Sequence, residues 1–456
     1  MADVNDLFQS SNSNPADAPR TSAQSAFEDH DPGDPRLRRR ALIAATSGTI
    51  IEFYDYQLFA VMTVVIAPLF FATQSSTAAI LSTLALFAVP FLARPFGGIV
   101  FGTIGDRYGR RKSLVLTIGL MGLGSGLIGA LPTYATIGNW APALLFLLRL
   151  VQSASAGGEV SGATSYVVES APAHRRGFYG GILGIGGIAG LGLASATVLL
   201  LNTVLTSEQI SSWAWRLPFL LTLGLTVVSL YIRLALEDTP AFVRAQARKS
   251  VSSSPVKLAL TRDRANVLRV FGAAAVQSVG GYLTTVFAIT YLIANLGYST
   301  RFAATLSTVA LLFGIAVSPL AGALSDRIGR KPVVAAAQIS FVTLTWPLLW
   351  VLSVASEHPP VALIAFVLLT LPAYVLSGVA WTLYAEVFPT NVRNSGMAIG
   401  FNAAVMLGGA SPFLASLLID VTGYPLAPAF MVSLIGVVSL LVLRTMRETG
   451  KSALLD

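Results

Sequence analysis

Long apolar runs recur along the chain, separated by short polar or basic stretches, and twelve of them are long enough to cross a bilayer as helices. They fall at 41–70, 79–104, 113–131, 142–170, 178–204, 216–236, 267–295, 303–324, 333–355, 361–387, 396–419 and 428–445. Several exceed the roughly twenty residues that a span needs, so tilt or protruding ends are expected. The longest internal break, 237–266, is polar and basic and divides the runs into two sets of six, 41–236 and 267–445. Residues 1–40, rich in Ser, Asp, Pro and Arg, lack the apolar core of a signal peptide and read as a disordered tail, and 446–456 as a short second tail.

Composition sharpens this pattern. The chain is 54% hydrophobic and 11% charged, against about 25% charged in soluble proteins, which marks a polytopic membrane protein. It has no cysteine, and its three histidines, His30, His174 and His358, leave little for a metal site. Of the 30 Lys and Arg residues, Arg94 and Arg149 fall inside spans, Arg216 at a span edge and Arg301 in an outer loop. The rest lie on the side of the N-terminus, which places both termini in the cytoplasm of a cell-membrane protein. The net charge of +8 follows from that topology. "RLRRR" at 36–40 therefore reads as a positive-inside anchor, with no nucleic-acid partner implied.

The two halves echo each other. "GTIGDRYGRRK" at 102–112 follows span two, "GALSDRIGRK" at 322–331 follows span eight, and Asp106 and Asp326 stand 220 residues apart. Internal repeats of this kind build many secondary transporters. With this repeated loop the chain resembles the major facilitator superfamily. With "EFYDYQLF", "FLARPFGGIVFGTIGDRYGRRK", "RLVQSASAGGEVSGATSYVVESAPAHRRGFYGG", "WAWRLPF", "LALEDTPAF" and "AEVFPTNVRNSG" it resembles, more narrowly, the metabolite:proton symporters. That family includes carriers for citrate, 2-oxoglutarate, shikimate, and proline or betaine. The resemblance implies an all-α fold of two six-helix bundles around a central cavity. It also implies alternating access and proton-coupled uptake of a small polar metabolite, an organic acid being the foremost expectation. This chain has Phe53 where the family usually has Trp.

Charge inside a span marks function by default. At a rise of about 1.5 Å per residue, Glu52 and Arg94 lie roughly 18 Å from the basic edge, and Asp55 and Glu159 roughly 22 Å, near mid-bilayer. Glu52 and Asp55, three residues apart, share one helix face. Two such carboxylates do not both ionise in a low dielectric without cations nearby, which suits a proton carrier. Asp55, with Glu52 or Glu159, is the expected proton-coupling set. A plain ion pair of Glu52 with Arg94 is the structural alternative, and Glu159 could equally pair with a basic residue. Arg149, the one Arg of span four, is the expected anchor for a substrate carboxylate, because a guanidinium holds it bidentately. Arg94 joins it. In the second half Gln277, Tyr282, Tyr291 and Asn402 are the polar groups expected on the cavity.

The repeated loops are expected to latch one end of the molecule. Gly102, Asp106, Arg107, Gly109, Arg110 and Arg111 form the first, and Asp326, Arg327, Gly329 and Arg330 the second. Asp106 can cap a helix end, and Gly109 and Gly329 permit the turn. Glu386 with Arg393, and Glu169 with Arg175 or Arg176, read as gating pairs. Gly124-x-Gly126-x-x-Gly129 has the form of a dinucleotide fingerprint, but it follows no strand and lies inside a span. "GGILGIGGIAGLG" at 180–192 reads as a helix-packing face. No proline falls between Phe178 and Asn202, where exporters of the superfamily carry one, which favours uptake. With no Walker sequence, the expected drive is the proton gradient, no cofactor is expected, and the functional unit is expected to be a monomer. An exporter, a compatible-solute (proline or betaine) carrier, a non-transporting sensor and a membrane enzyme are the alternatives. For the enzyme the sequence offers no nucleophile–base set.

Overall fold

A computed structural model describes residues 35–71, 76–248 and 250–455. Of the tail expected over 1–40, residues 1–34 lie outside the described residues and 35–40 are helical. Twelve long helices account for the twelve apolar runs. They are α1 (Pro35–Phe70), α2 (Ser76–Tyr108), α3 (Arg110–Ala130), α4 (Trp140–Ser170), α5 (Arg176–Val204) and α6 (Leu217–Leu234). The second set is α7 (Arg264–Tyr282), α8 (Thr300–Ile328), α9 (Arg330–Val354), α10 (Pro359–Glu386), α11 (Arg393–Thr422) and α12 (Ala427–Thr445). Among the described residues, nine helices are long and apolar enough to cross a membrane, or ten if the bent α7 counts as one span. Helix α1 begins at Pro35, so the basic string extends the first span instead of preceding it.

Two segments depart from the sequence pattern. Helix α7 passes into a π-turn at Leu283–Phe287 and continues as Ala288–Ala294, bent by 45°. The 237–266 stretch, expected as a loop, carries two short helices, Pro240–Ala247 and Pro255–Thr261. The first is started by Thr239, whose hydroxyl accepts from Phe242 N at 3.3 Å, and by Pro240, whose missing N–H costs nothing there.

Helices α1–α6 pack against one another, as do α7–α12, and the two sets meet where α2 lies on α11 and α5 lies on α8 and α10. The glycine-rich face of α5 makes that meeting possible. A Cβ at Gly181 would stand 2.6 Å from the Ser318 carbonyl of α8, and one at Gly186 would stand 2.9 Å from the Thr46 carbonyl of α1. One helix thus touches its own half and the other half at backbone distance. These contacts lie in the portion of the helices nearest the two repeated loops, here termed the basic end.

Candidate functional site

A cavity of about 120 Å³ opens between the halves at mid-helix depth. The first half contributes Glu52, Phe53, Tyr56 and Arg94 to its wall, and the second half Gln277, Tyr282, Trp381 and Phe401. Arg94 Nη2 lies 3.2 Å from Glu52 Oε1, and both residues are buried. Among the described residues they are the cavity's one guanidinium and one carboxylate. Aromatic rings make up much of the remaining wall. Trp381 packs 6.2 Å from Phe53 and 6.2 Å from Phe401, while Tyr282 meets Tyr56 at 5.4 Å and Phe91 at 5.6 Å, edge to face. The Trp381 indole N–H, the Gln277 carbonyl and the Ser278 hydroxyl are buried without a partner among the described residues. Groups of that kind are satisfied when a polar ligand arrives.

Behind the Glu52–Arg94 pair is a second cavity of about 30 Å³, lined by Asp55, Arg149, Gln152 and Ser153 and sharing Glu52, Tyr56 and Arg94 with the first. Arg149, expected as the substrate anchor, sits here and not on the central wall. Its Nη1 lies 3.6 Å from Asp55 Oδ2. The depth count placed Asp55 near mid-bilayer, but helix rotation decides which cavity a charge faces. Arg94 and Glu52 line both cavities, and Asp55 and Arg149 the inner one.

Glu159 belongs to neither cavity. Arg233 of α6 holds both its carboxylate oxygens, Nη1 at 3.0 Å from Oε2 and Nη2 on Oε1, and Thr117 donates to Oε2 at 2.6 Å. Of the two expectations for Glu159, partner of a basic residue or proton site, the geometry favours the first. The sequence pattern hid Arg233 because it lies near the end of its span, where a basic residue also anchors topology. Tyr291 likewise points elsewhere, donating from its hydroxyl to Pro425 O at 2.8 Å. Asn402 bridges the halves instead of lining the cavity, donating from Nδ2 to Gly157 O of α4 at 2.6 Å. Gln277 and Tyr282 do line it.

The basic end is closed by a buried charge network. Asp106 accepts from the backbone N–H groups of Asn394 (3.1 Å) and Ser395 (2.7 Å), at the N-terminus of α11. Its counterpart Asp326 accepts from Gly177 and Phe178, both at 2.8 Å, at the N-terminus of α5. Each aspartate therefore caps a helix of the opposite half. Arg110 lies 2.9 Å from Glu169, and Glu169 lies 2.6 Å from Arg393 across the interface. Arg330 bonds Asp326 at 2.7 Å and Glu386 at 3.3 Å.

The expected partners are thus exchanged. Glu386 takes Arg330 in place of Arg393, and Glu169 takes Arg110 and Arg393 in place of Arg175 or Arg176. Arg175 is exposed, as are Arg107 and Arg327, so these three stand outside the network. Gly109 (φ 111°) and Gly329 (φ 104°) hold a backbone conformation that a side chain would strain. The helices they open are capped by carboxylates from later segments. Asp238 accepts from Arg111 N at 2.9 Å, and Glu448 from Arg330 N at 2.8 Å and Lys331 N at 2.9 Å. Four backbone N–H groups hold Glu448 below the usual carboxylate range, against the opposing effect of its partial burial. Gly102 lies where a Cβ would stand 2.8 Å from the Ser395 backbone, so its bare face lets α2 reach α11. The segment after α12 lies across the same end. Thr449 donates to Glu386 at 2.6 Å, and Leu455 O accepts from Arg393 at 3.2 Å.

Twelve helices in two packed sets, a cavity between them and a capped network at one end define a major facilitator transporter. Comparisons agree: residues 40–454 match the family described as "Sugar (and other) transporter", and the chain belongs to it. It is 34% identical over 426 residues to the "Proline/betaine transporter" of Salmonella typhimurium (strain LT2), covering 91% of this chain and 85% of that one. It is 34% identical over 420 residues to the "Alpha-ketoglutarate permease" of Escherichia coli (strain K12), covering 92% and 96%. In three dimensions it superposes on the proton:xylose symporter XylE with a TM-score of 0.77 at 18% identity, covering 92% and 98%. The chain is a multi-pass membrane transporter of small metabolites and not an enzyme.

Proposed function

We propose that the protein is a proton-coupled uptake carrier for a small metabolite bearing a carboxylate and at most one net negative charge, such as an amino-acid-like zwitterion. The observation that carries this reading is the central cavity's charge inventory: one guanidinium, Arg94, already balanced by one carboxylate, Glu52, among aromatic walls. A substrate carboxylate can compete with Glu52 for Arg94, and an ammonium group is stabilised over the faces of Trp381, Phe53 or Tyr56. A di- or tricarboxylate would bring two or three charges to a single cation. The reading thereby departs from the organic-acid expectation and takes up the compatible-solute alternative. The Salmonella proline/betaine relative supports this reading.

The 2-oxoglutarate carrier among the relatives supports a second reading. In it Glu52 is protonated, freeing Arg94 for a dianion.

Asp55 carries the coupled proton in this account, with Arg149 as its counter-charge, and the gradient is the drive, without a cofactor. The basic end faces the cytoplasm, so the conformation described is closed inside, and release requires the Asp106, Asp326 and Glu169 contacts to part. The transport unit is one chain in the cell membrane. The test is a panel of labelled substrates in proteoliposomes with an imposed inward proton gradient. Proline or glycine betaine is expected to accumulate in preference to 2-oxoglutarate and citrate. Selective accumulation of the di- or tricarboxylates would overturn the charge argument.

A further inference from the structure

Two groups hold the Asp55 carboxylate, and both bond to the same oxygen. Ser125 donates from its hydroxyl to Oδ1, and Gln152 Nε2 donates to it at 2.9 Å. Oδ2 faces Arg149 Nη1 at 3.6 Å, beyond ordinary hydrogen-bond length. Arg149 is itself engaged by neutral partners. Its Nη1 donates to Gln152 Oε1 at 2.9 Å, and its guanidinium carbon lies 3.7 Å from the centroid of the Phe59 ring. One amide therefore spans the two charges, its carbonyl on the cation and its N–H on the anion. Gln152 is also buried, and its Nε2 lies 2.6 Å from Ser125 Oγ.

We propose that Gln152 is a positioning residue that holds the Arg149 guanidinium back from Asp55, so that Asp55 can gain and lose a proton without stranding Arg149. The inference rests on the reading of Asp55 as the proton carrier. In the loading step a hydronium ion gives its proton to Oδ2 and leaves as water. The Oδ2 lone pair becomes the O–H bond, while Oδ1 keeps both hydrogen bonds as a neutral acceptor. Nothing that holds Arg149 is lost except a long ion pair, because the Gln152 carbonyl and the Phe59 ring do not titrate. A direct, short bidentate pair would instead lock the carboxylate in its charged form. The other charged or titratable groups around Asp55 are Glu52, Tyr54 and Tyr56 on its own helix and Arg94 on α2.

The test needs no substrate. Purified protein in liposomes is titrated by infrared difference spectroscopy, following the protonated carboxyl band that disappears in Asp55→Asn. In Gln152→Leu the guanidinium is free to close on Asp55, and the band's midpoint is expected to fall by about one pH unit. In Gln152→Glu the new carboxylate captures Arg149, and the midpoint is expected to rise by a similar amount. The two variants report independently, so a failure of either one to fold leaves the other decisive. An unchanged midpoint in the variant that folds, or a shift of opposite sign, overturns the role given to Gln152. A full set of titrating bands retained in Asp55→Asn would instead overturn the reading of Asp55 as proton carrier, a separate failure.

Discussion

Glu159 on α4 and Asp55 on α1 lie on helices that pack together, yet their surroundings differ. Glu159 meets a guanidinium on both oxygens and a hydroxyl besides, and lines neither of the two cavities. Asp55 meets two neutral donors on one oxygen and a distant cation on the other. Removing one partner of a buried pair leaves an uncompensated charge, at a cost of about 3–5 kcal/mol. Glu159→Ala is therefore expected to lose about that much unfolding free energy, measured by denaturant titration in detergent, while the folded fraction still accumulates substrate along a proton gradient. Loss of accumulation at unchanged stability would return Glu159 to the proton pathway. At this scale the sequence exposed the charged residues, since a carboxylate in an apolar run is costly and stands out. Neutral partners were invisible to the same argument. Gln152 sits three residues after Arg149, a spacing that places the two side chains together, and that was the signal available for it. Trp381 gave none, because a tryptophan in a span is as often an interface anchor.

The helices themselves were legible because each crossing must satisfy its backbone internally and needs about twenty apolar residues to do so. The pairings at their ends were not. Glu386 and Arg393 flank one turn, yet each bonds a residue elsewhere, Arg330 of the same half in one case and Glu169 of the other half in the other. Sequence proximity cannot rank through-space partners. The observed exchange makes Glu169 the hub, since it joins an arginine of the first half, Arg110, directly to one of the second, Arg393. Glu169→Gln is expected to weaken closure of the basic end. The chain has no native cysteine, so spin labels at Arg107→Cys and Arg327→Cys, both exposed, can read the opening directly. The distance distribution is expected to shift toward longer separations in Glu169→Gln. An unchanged distribution would make the pair a fastening within closed elements and no part of the gate.

For the whole molecule, the halves meet at one end through capped helix termini and glycine-lined contacts, and at mid-depth they enclose a cavity whose charges are already balanced. On the proposed reading, substrate and proton meet adjoining charge pairs on one half, Glu52–Arg94 and Asp55–Arg149, with Tyr56 on the wall between the two cavities. That adjacency is the basis we propose for coupling: a change of charge at Asp55 is felt by Arg94 across a low-dielectric gap. The most direct test is proton movement itself. Proteoliposomes loaded with a pH-sensitive dye receive proline or glycine betaine, whichever accumulates, and internal pH is followed with and without a protonophore. The account predicts substrate-driven acidification in the native protein. It predicts none in Asp55→Asn, which still exchanges internal for external substrate. Substrate entry without acidification in the native protein, or full acidification in Asp55→Asn, would contradict it.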